Sequence, residues 1–216
     1  MTDGKNMTAE ELDLSGDWDF DPAHTRIGFS AKHAMISTVR GAFNDVAGTL
    51  HVDFDEPENS SAEVILRVAS VDTRSAQRDD HLRSADFFDA ETWPEIVFRS
   101  TRIEEVSENA LVVFGDLTIR DVTKQITVPI EFTGSHRDAF GALRAGFEGT
   151  RRLDRREYGL EWNMPLDAGG LLVSEKITLE FEISAVKREG DAAGDATDEA
   201  DAEDADDDAS DDEEVA

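Results

Sequence analysis

The 216-residue chain contains no cysteine. This excludes disulfides, thiolate nucleophiles and cysteine-type zinc sites, and leaves the redox compartment undecided. Lysine is scarce as well: Lys5, Lys32, Lys124, Lys176 and Lys187 are the only ones, and the other basic residues are arginine. Positive charge as a whole is short, with 21 basic against 50 acidic residues and a formal net charge of −29. That balance argues against a nucleic-acid partner, because such affinity comes largely from neutralising phosphates. It argues equally against anionic membrane surfaces. No apolar run approaches the length of a membrane span, so no stable membrane insertion is expected. The opening stretch MTDGKNMTAEELDLSG has neither a basic n-region nor an apolar h-region. It does not read as a secretory signal, and the expected location is cytoplasmic.

Catalytic signatures are also missing. There is no GxSxG elbow, no HExxH, no Walker loop and no GxGxxG. None of His24, His33, His51, His81 and His136 is paired at helical metal spacing. His24 and His33 could approach one another across a turn, but two histidines without a third ligand read as hydrogen-bonded structural residues. Asp79-Asp80-His81 could be an acid–base cluster; the plainer reading is a polar helix face with His81 satisfied locally. Arg151, Arg152, Arg155 and Arg156 form the one dense basic patch. Ion pairing within the fold is the preferred reading for it, and contact with an acidic ligand head group is the alternative. No catalytic residue, no metal and no resident cofactor is assigned.

The acidic excess is spread along the chain. Residues 189–216 hold 15 acidic residues and no Lys or Arg, while residues 1–188 still carry 35 acidic against 21 basic residues. An acidic, lysine-poor surface on an ordinary core suits high salt, where self-repulsion is screened within a few ångström. The bland alternative is an acidic protein with a tail. Residues 192–216 are mostly Asp, Glu, Ala, Ser and Thr. They cannot offset the entropy of ordering and are read as a disordered tail. The expected organisation is a polar arm over residues 1–15, with a short helical turn around Thr8–Leu12, one domain over 16–188, and the acidic tail over 189–216.

What is plentiful is period-two alternation. In Leu111–Phe132, Leu111, Val113, Gly115, Leu117 and Ile119 share one face, and Ile126, Val128, Ile130 and Phe132 share the face of the return strand. The polar break at Arg120–Lys124 between them makes a half-buried antiparallel hairpin. Similar patterns recur in Ile27–His33, Val64–Val68, Ile96–Arg102, Leu143–Thr150, Tyr158–Met164 and Ile177–Ile183. Ala34–Ser37 reads as a short irregular or helical piece. Thr38–Asp55 reads as a long strand bent at Gly41 and Gly48; Phe43 is expected to swap faces at the bend relative to Val46, Leu50, Val52 and Phe54. Thr73–Phe88 breaks the alternation and reads as a helix of about three turns. The fold class is thus mainly β: an extended antiparallel barrel of about eight strands, closed or nearly so, with one flanking helix.

The chain also carries more large aromatic residues than one small sheet would hide. An eight-stranded barrel has an interior that is either filled by side chains or wide enough for one small ligand. Burying an alkyl chain is worth about 0.8 kcal/mol per methylene, so a long chain could bind with few polar contacts.

Several blocks, in order, resemble the YceI-like family of polyisoprenoid-binding proteins over about Gly16–Lys187. WDFDPAHTRIGFSAKH (18–33) looks like the family's opening motif and first strand, and VRGAF (39–43) like its Gly-x-Phe. RDDHLRSADFFDAETWPEIVF (78–98) is similar to its helix-and-strand block. GDLTIRDVTKQITVPIEF (115–132) resembles its hairpin, with Asp121 where glycine is usual. RREYGLEWN (155–163) and VSEKITLEFEISAVK (173–187) look like its closing motif and last strand. The resemblance implies a lipocalin-like barrel enclosing a long apolar tunnel for a polyprenyl chain, a quinone tail, or a fatty amide or acid. It implies a carrier, store or sensor rather than an enzyme. Family members are often exported and often dimeric, so a homodimer is left open. The acidic tail lies outside the pattern.

On strand parity and these blocks, the tunnel-lining candidates are Phe29, Phe43, Leu66, Phe98 and Leu117, together with Ile119, Phe132, Phe147, Trp162 and Met164. Ordinary core packing is the competing account for each. His33, Arg155 and Tyr158 are the candidates for the polar end. Two rival readings stay open: a barrel enzyme acting on a lipid-like substrate, with His33 or Tyr158 as its first suspects, and a filled barrel serving as an interaction module.

Overall fold

The computed structural model describes residues 14–167 and 169–189. The helical turn expected near Thr8–Leu12 and the tail over 192–216 lie outside the described residues. Alternation translates directly into strands: β1 (Gly16–Phe20), β2 (Arg26–His33), β3 (Ser37–Phe43), β4 (Val46–Val52), β5 (Ser61–Arg67), β6 (Val71–Asp72), β7 (Glu95–Ser107), β8 (Ala110–Ile119), β9 (Val122–Arg137), β10 (Leu143–Asp154) and β11 (Val173–Lys187). One α-helix, α1 (Ala76–Arg83), follows β6.

Every pairing is antiparallel, and the sheet closes on itself where β1 meets β11, with Trp18 opposite Lys187 and Phe20 opposite Ala185. The eleven segments make eight staves, because three staves are each broken once. β1 and β2 both run along β11 and are separated at Asp21–Thr25. There Ser184 holds the break, its carbonyl accepting from the Asp21 amide at 2.8 Å and from Thr25 Oγ1 at 3.1 Å. β3 and β4 are separated at Asn44–Asp45, whose amides donate to the Ser70 carbonyl (3.2 Å) and Ser70 Oγ (3.0 Å). β5 and β6 are separated by a 3₁₀ turn at Val68–Ser70. Closure pairs the staves around the barrel, and the two-residue β6, which pairs only with β3 among the described residues, is left as a short edge.

The break at Asn44–Asp45, not Gly48, is where the long β3–β4 stave changes face: Phe43 and Val46 are both buried. Gly41 makes room for a ring, since a Cβ there would stand 2.6 Å from the Phe29 ring. The expected three-turn helix is shorter, ending at Arg83. Phe87 and Phe88 follow in a hydrogen-bonded turn, with Phe88 N donating to Leu82 O at 3.0 Å. Both rings face the barrel interior; in a continuing helix, adjacent side chains would point about 100° apart. Ala34–Ser37 is a tight turn with Ala34 and Met35 both at positive φ (49° and 62°). At the β8–β9 hairpin Arg120 takes the left-handed conformation (φ 56°), and Asp121 does not. The Arg120 guanidinium reaches the carbonyls of Phe87 (3.3 Å) and Gly159 (3.4 Å), tying the hairpin tip to the segments packed over that end.

β10 runs on to Asp154, so Arg151 and Arg152 sit in a strand. Residues 159–164 are irregular rather than the strand expected at Tyr158–Met164. Leu14 is buried beside Trp18 and accepts its indole N–H at 3.1 Å. The large exposed apolar side chains of the described residues gather at the two barrel ends: Met35, Ile36, Met164 and Leu171 at the α1 end, Phe54, Val106 and Phe140 at the other.

Candidate ligand-binding site

The inward faces of the staves enclose one continuous cavity of about 1210 Å³. This is larger than the ~300–1,000 Å³ usual for small-molecule sites. Its middle is apolar because strand alternation puts one residue in two inside. Leu117, Ile119, Ile126 and Val128 of the β8–β9 hairpin line it, as do Ile177, Leu179, Phe181 and Ile183 of β11. Aromatic rings build its wall in tilted and edge contacts: Phe29 with Phe43 (tilted, 5.9 Å between centroids), Phe43 with Phe88 (edge-on, 5.8 Å), and Phe132 with Phe147 (tilted, 5.6 Å). Those spacings lie in the favourable range for aromatic pairs.

The two ends differ. The α1 end is walled by Ser75, Gln77, Arg78, His81, Leu82, Phe87 and Trp162, with Lys32, His33 and Arg155 beside them. There the His81 ring stands edge-on to Trp162 (4.5 Å) and Phe87 (5.1 Å), and its Nε2 meets Asp86 at 2.9 Å. The helix start is held by buried Asp79, which accepts from the Thr73 amide (2.8 Å) and hydroxyl (2.5 Å). The opposite end has His51, Asp53, Glu105, Glu108 and Asn109 in its wall.

Arg155 is 3 % exposed. Its Nε donates to the Ser174 carbonyl at 3.1 Å and its Nη1 to the Leu160 carbonyl, while Nη2 is buried without an acceptor. Burial holds its pKa below the usual arginine value. Its neighbour Arg156 behaves differently: it pairs with Asp154 (2.7 Å) and Glu175 (2.7 Å), and Lys176 completes the cluster at 3.3 Å from Asp154. Those hydrogen bonds, led by Arg156, keep the Asp154 carboxyl far below the usual range. Of the four arginines of the patch only Arg156 is ion-paired among the described residues: Arg155 is buried with neutral acceptors, and Arg151 Nε is likewise buried without an acceptor.

Eleven of the thirteen residues singled out from sequence stand in the cavity wall: Phe29, His33, Phe43, Leu66, Phe98, Leu117, Ile119, Phe132, Phe147, Arg155 and Trp162. Tyr158 and Met164 stand outside it. Tyr158, in the 3₁₀ turn after β10, is 1 % exposed and packed in the core, where burial pushes its phenol up to about 12. Met164 is 51 % exposed. Strand parity does not extend to it because Asn163 pins an irregular backbone, its Oδ1 accepting from the amides of Met164 and Val173 at 3.0 Å. Sequence reasoning missed Arg78, His81, Leu82, Phe87 and Phe88 as wall residues. Helical spacing puts Arg78, His81 and Leu82 on one side of α1, and that spacing was the signal that could have found them.

Residues 18–185 match the model of the YceI-like domain. A UPF0312 protein of Vibrio parahaemolyticus is 36% identical over 166 residues, covering 77% of this chain and 84% of the relative. A UPF0312 protein of Pseudomonas syringae pv. syringae is 34% identical over 171 residues, 79% of this chain and 85% of the relative. Among solved structures, the Campylobacter jejuni YceI protein is similar with a TM-score of 0.64 and 28% identity, covering 73% of this chain and 90% of that one. A polyisoprenoid binding domain from Saccharophagus degradans shares the fold with a TM-score of 0.60 at 12% identity, covering 79% of this chain and 98% of that one. With the family model spanning most of the barrel, the chain belongs to the YceI-like family.

Proposed function

We propose that this protein binds a long-chain, predominantly apolar ligand along the barrel axis, as a carrier, store or sensor rather than as an enzyme. The single observation that carries this reading is the continuous apolar cavity of about 1210 Å³. Side chains that filled the barrel would leave no such space. A flexible chain gains about 0.8 kcal/mol for each methylene it buries. A polyisoprenoid, a quinone tail or a fatty acid or amide fits that lumen by shape and chemistry. The Saccharophagus domain of the same fold is described as polyisoprenoid binding, which is in keeping with an isoprenoid as one of these ligands. The acidic, lysine-poor composition suits such a carrier to high salt.

Native mass spectrometry of the purified full-length chain, followed by organic extraction and lipid identification, tests the reading. The expected result is a stoichiometric long-chain species that dissociates on extraction. A protein that stays empty after incubation with polyprenyl lipids and fatty acids would overturn it. Conversion of an added lipid into a new mass would replace it with the enzyme reading.

A further inference from the structure

Resting on the long-chain reading above, we propose that the α1 end of the lumen holds an oxyanion head group, a carboxylate or a phosphate on a single long chain, against the Arg155 guanidinium, with the chain directed toward the acidic far end.

One positive charge is left over in the β10–β11 cluster. Asp154 is committed to Arg156 and Lys176, and Glu175 to Arg156. Arg155, between them in the chain, has only the neutral carbonyls of Ser174 and Leu160 as acceptors. Among the described residues no carboxylate lies within ion-pair distance of it, and Nη2 has no acceptor at all. A buried charge with no carboxylate in direct contact is costly, and a guanidinium donor without an acceptor is suited to an oxyanion. Desolvation lowers the Arg155 pKa, while the charges of Asp154 and Glu175 act on it from beyond contact and raise it.

The position of Arg155 supplies the ligand side. It stands in the wall of the cavity, with its guanidinium carbon 6.0 Å from the Phe87 ring centroid. Phe87 is in turn 5.4 Å from Trp162. A head group there meets an aromatic collar on one side and the apolar lumen on the other. A separate observation fixes the direction of the chain. Lys32 and Arg78 join Arg155 at this end, while Asp53, Glu105 and Glu108, with His51 beside them, line the opposite end, where the three carboxylates would repel an anion.

The test uses the full chain stripped of extractable lipid and three probes of equal chain length: palmitate, hexadecyl phosphate and 1-hexadecanol. Binding is followed by tryptophan fluorescence, since Trp18 and Trp162 both stand in the wall. At least one of the two anions should bind about tenfold or more tighter than the alcohol, and the better anion names the head group. Arg155→Met should abolish that preference and leave hexadecanol binding unchanged. Arg152→Gln, in the same basic patch but outside the cavity wall, should keep it, which separates a specific contact from general attraction. If Arg155→Met does not fold, Arg155→Lys, which keeps the charge and loses the planar fork, should weaken the preference where Arg152→Gln does not. Equal binding of anions and alcohol, or a preference retained in Arg155→Met, would overturn the head-group assignment while leaving the long-chain reading intact. Binding of none of the three probes would overturn both.

Discussion

A Cβ on Gly115 would stand 2.5 Å from the Phe98 ring and equally close to the Arg99 carbonyl oxygen. Phe98 lies on β7 opposite Leu117, and its ring crosses the neighbouring pair to lie over Gly115. The ring forms part of the cavity wall. Gly115 is therefore the floor on which a wall residue rests.

Gly115→Ala should behave as an overpacking substitution costing about 1–3 kcal/mol. Calorimetry should show Tm lower by several degrees. Adding Phe98→Leu should recover only part of that loss, because the ring is then gone while the close Arg99 carbonyl stays. An alanine variant as stable as the parent would mean that the close approach places no demand on this position.

The same wall predicts how size and affinity trade. Leu179 lies mid-barrel on β11, only partly buried because its side chain borders the open lumen. Leu179→Trp should place the larger ring in empty space, with little change in Tm. Affinity for a sixteen-carbon ligand should fall about tenfold or more, since the methylenes it excludes are each worth about 0.8 kcal/mol. Fluorescence titration with chains of increasing length should show a loss that grows with length. A uniform loss across all lengths would place the ligand outside the lumen.

Much of this was legible in the strands and little of it in the cap. In β8, β9 and β11 apolar residues alternate over many positions, so period two puts Leu117 with Ile119, and Leu179 with Phe181, on one strand face without any tertiary knowledge, while which face turns inward is set by closure. Residues 73–94 and 155–172 follow no single period. Their wall residues are chosen by the shape of the barrel end, which depends on staves far away in sequence. That is why Phe87 and Phe88 went unassigned, and why parity continued past Trp162 failed at Met164. The unpaired state of Arg155 was equally hidden. Two adjacent arginines follow Asp154, and only the turn decides that Arg156 receives its carboxylate.

Tyr158 offers a clean pH test because it is the only tyrosine in the chain. Burial pushes its phenol up to about 12. The unfolded chain would ionise first, near about 10, so the contribution of this residue is complete below that pH and is lost as pH rises toward the folded value. Absorbance titration of the native protein should show no phenolate near pH 10, whereas the denatured chain should titrate there. Tyr158→Phe should flatten the fall of Tm over the alkaline range. A native phenolate appearing near pH 10 would show that the ring reaches water.

Salt should stabilise this protein, and the reason is the acidic excess within residues 1–188, 35 acidic against 21 basic residues. The compact state gathers like charges that the unfolded chain keeps apart. Raising ionic strength from about 0.1 M to about 1 M shortens the screening length from ~10 Å to ~3 Å. The same screening weakens exposed ion pairs such as Arg188–Asp19, at 2.5 Å, but each such pair is worth only about 0–1 kcal/mol. Relief of repulsion should therefore win, and Tm should climb with KCl, steeply at first and then levelling as screening saturates. Sucrose stabilises by exclusion without screening, so its curve should lack the early rise. A Tm that stays flat or falls as KCl is added would show that the acidic surface is not under repulsive strain, and the high-salt reading of the composition would fall with it.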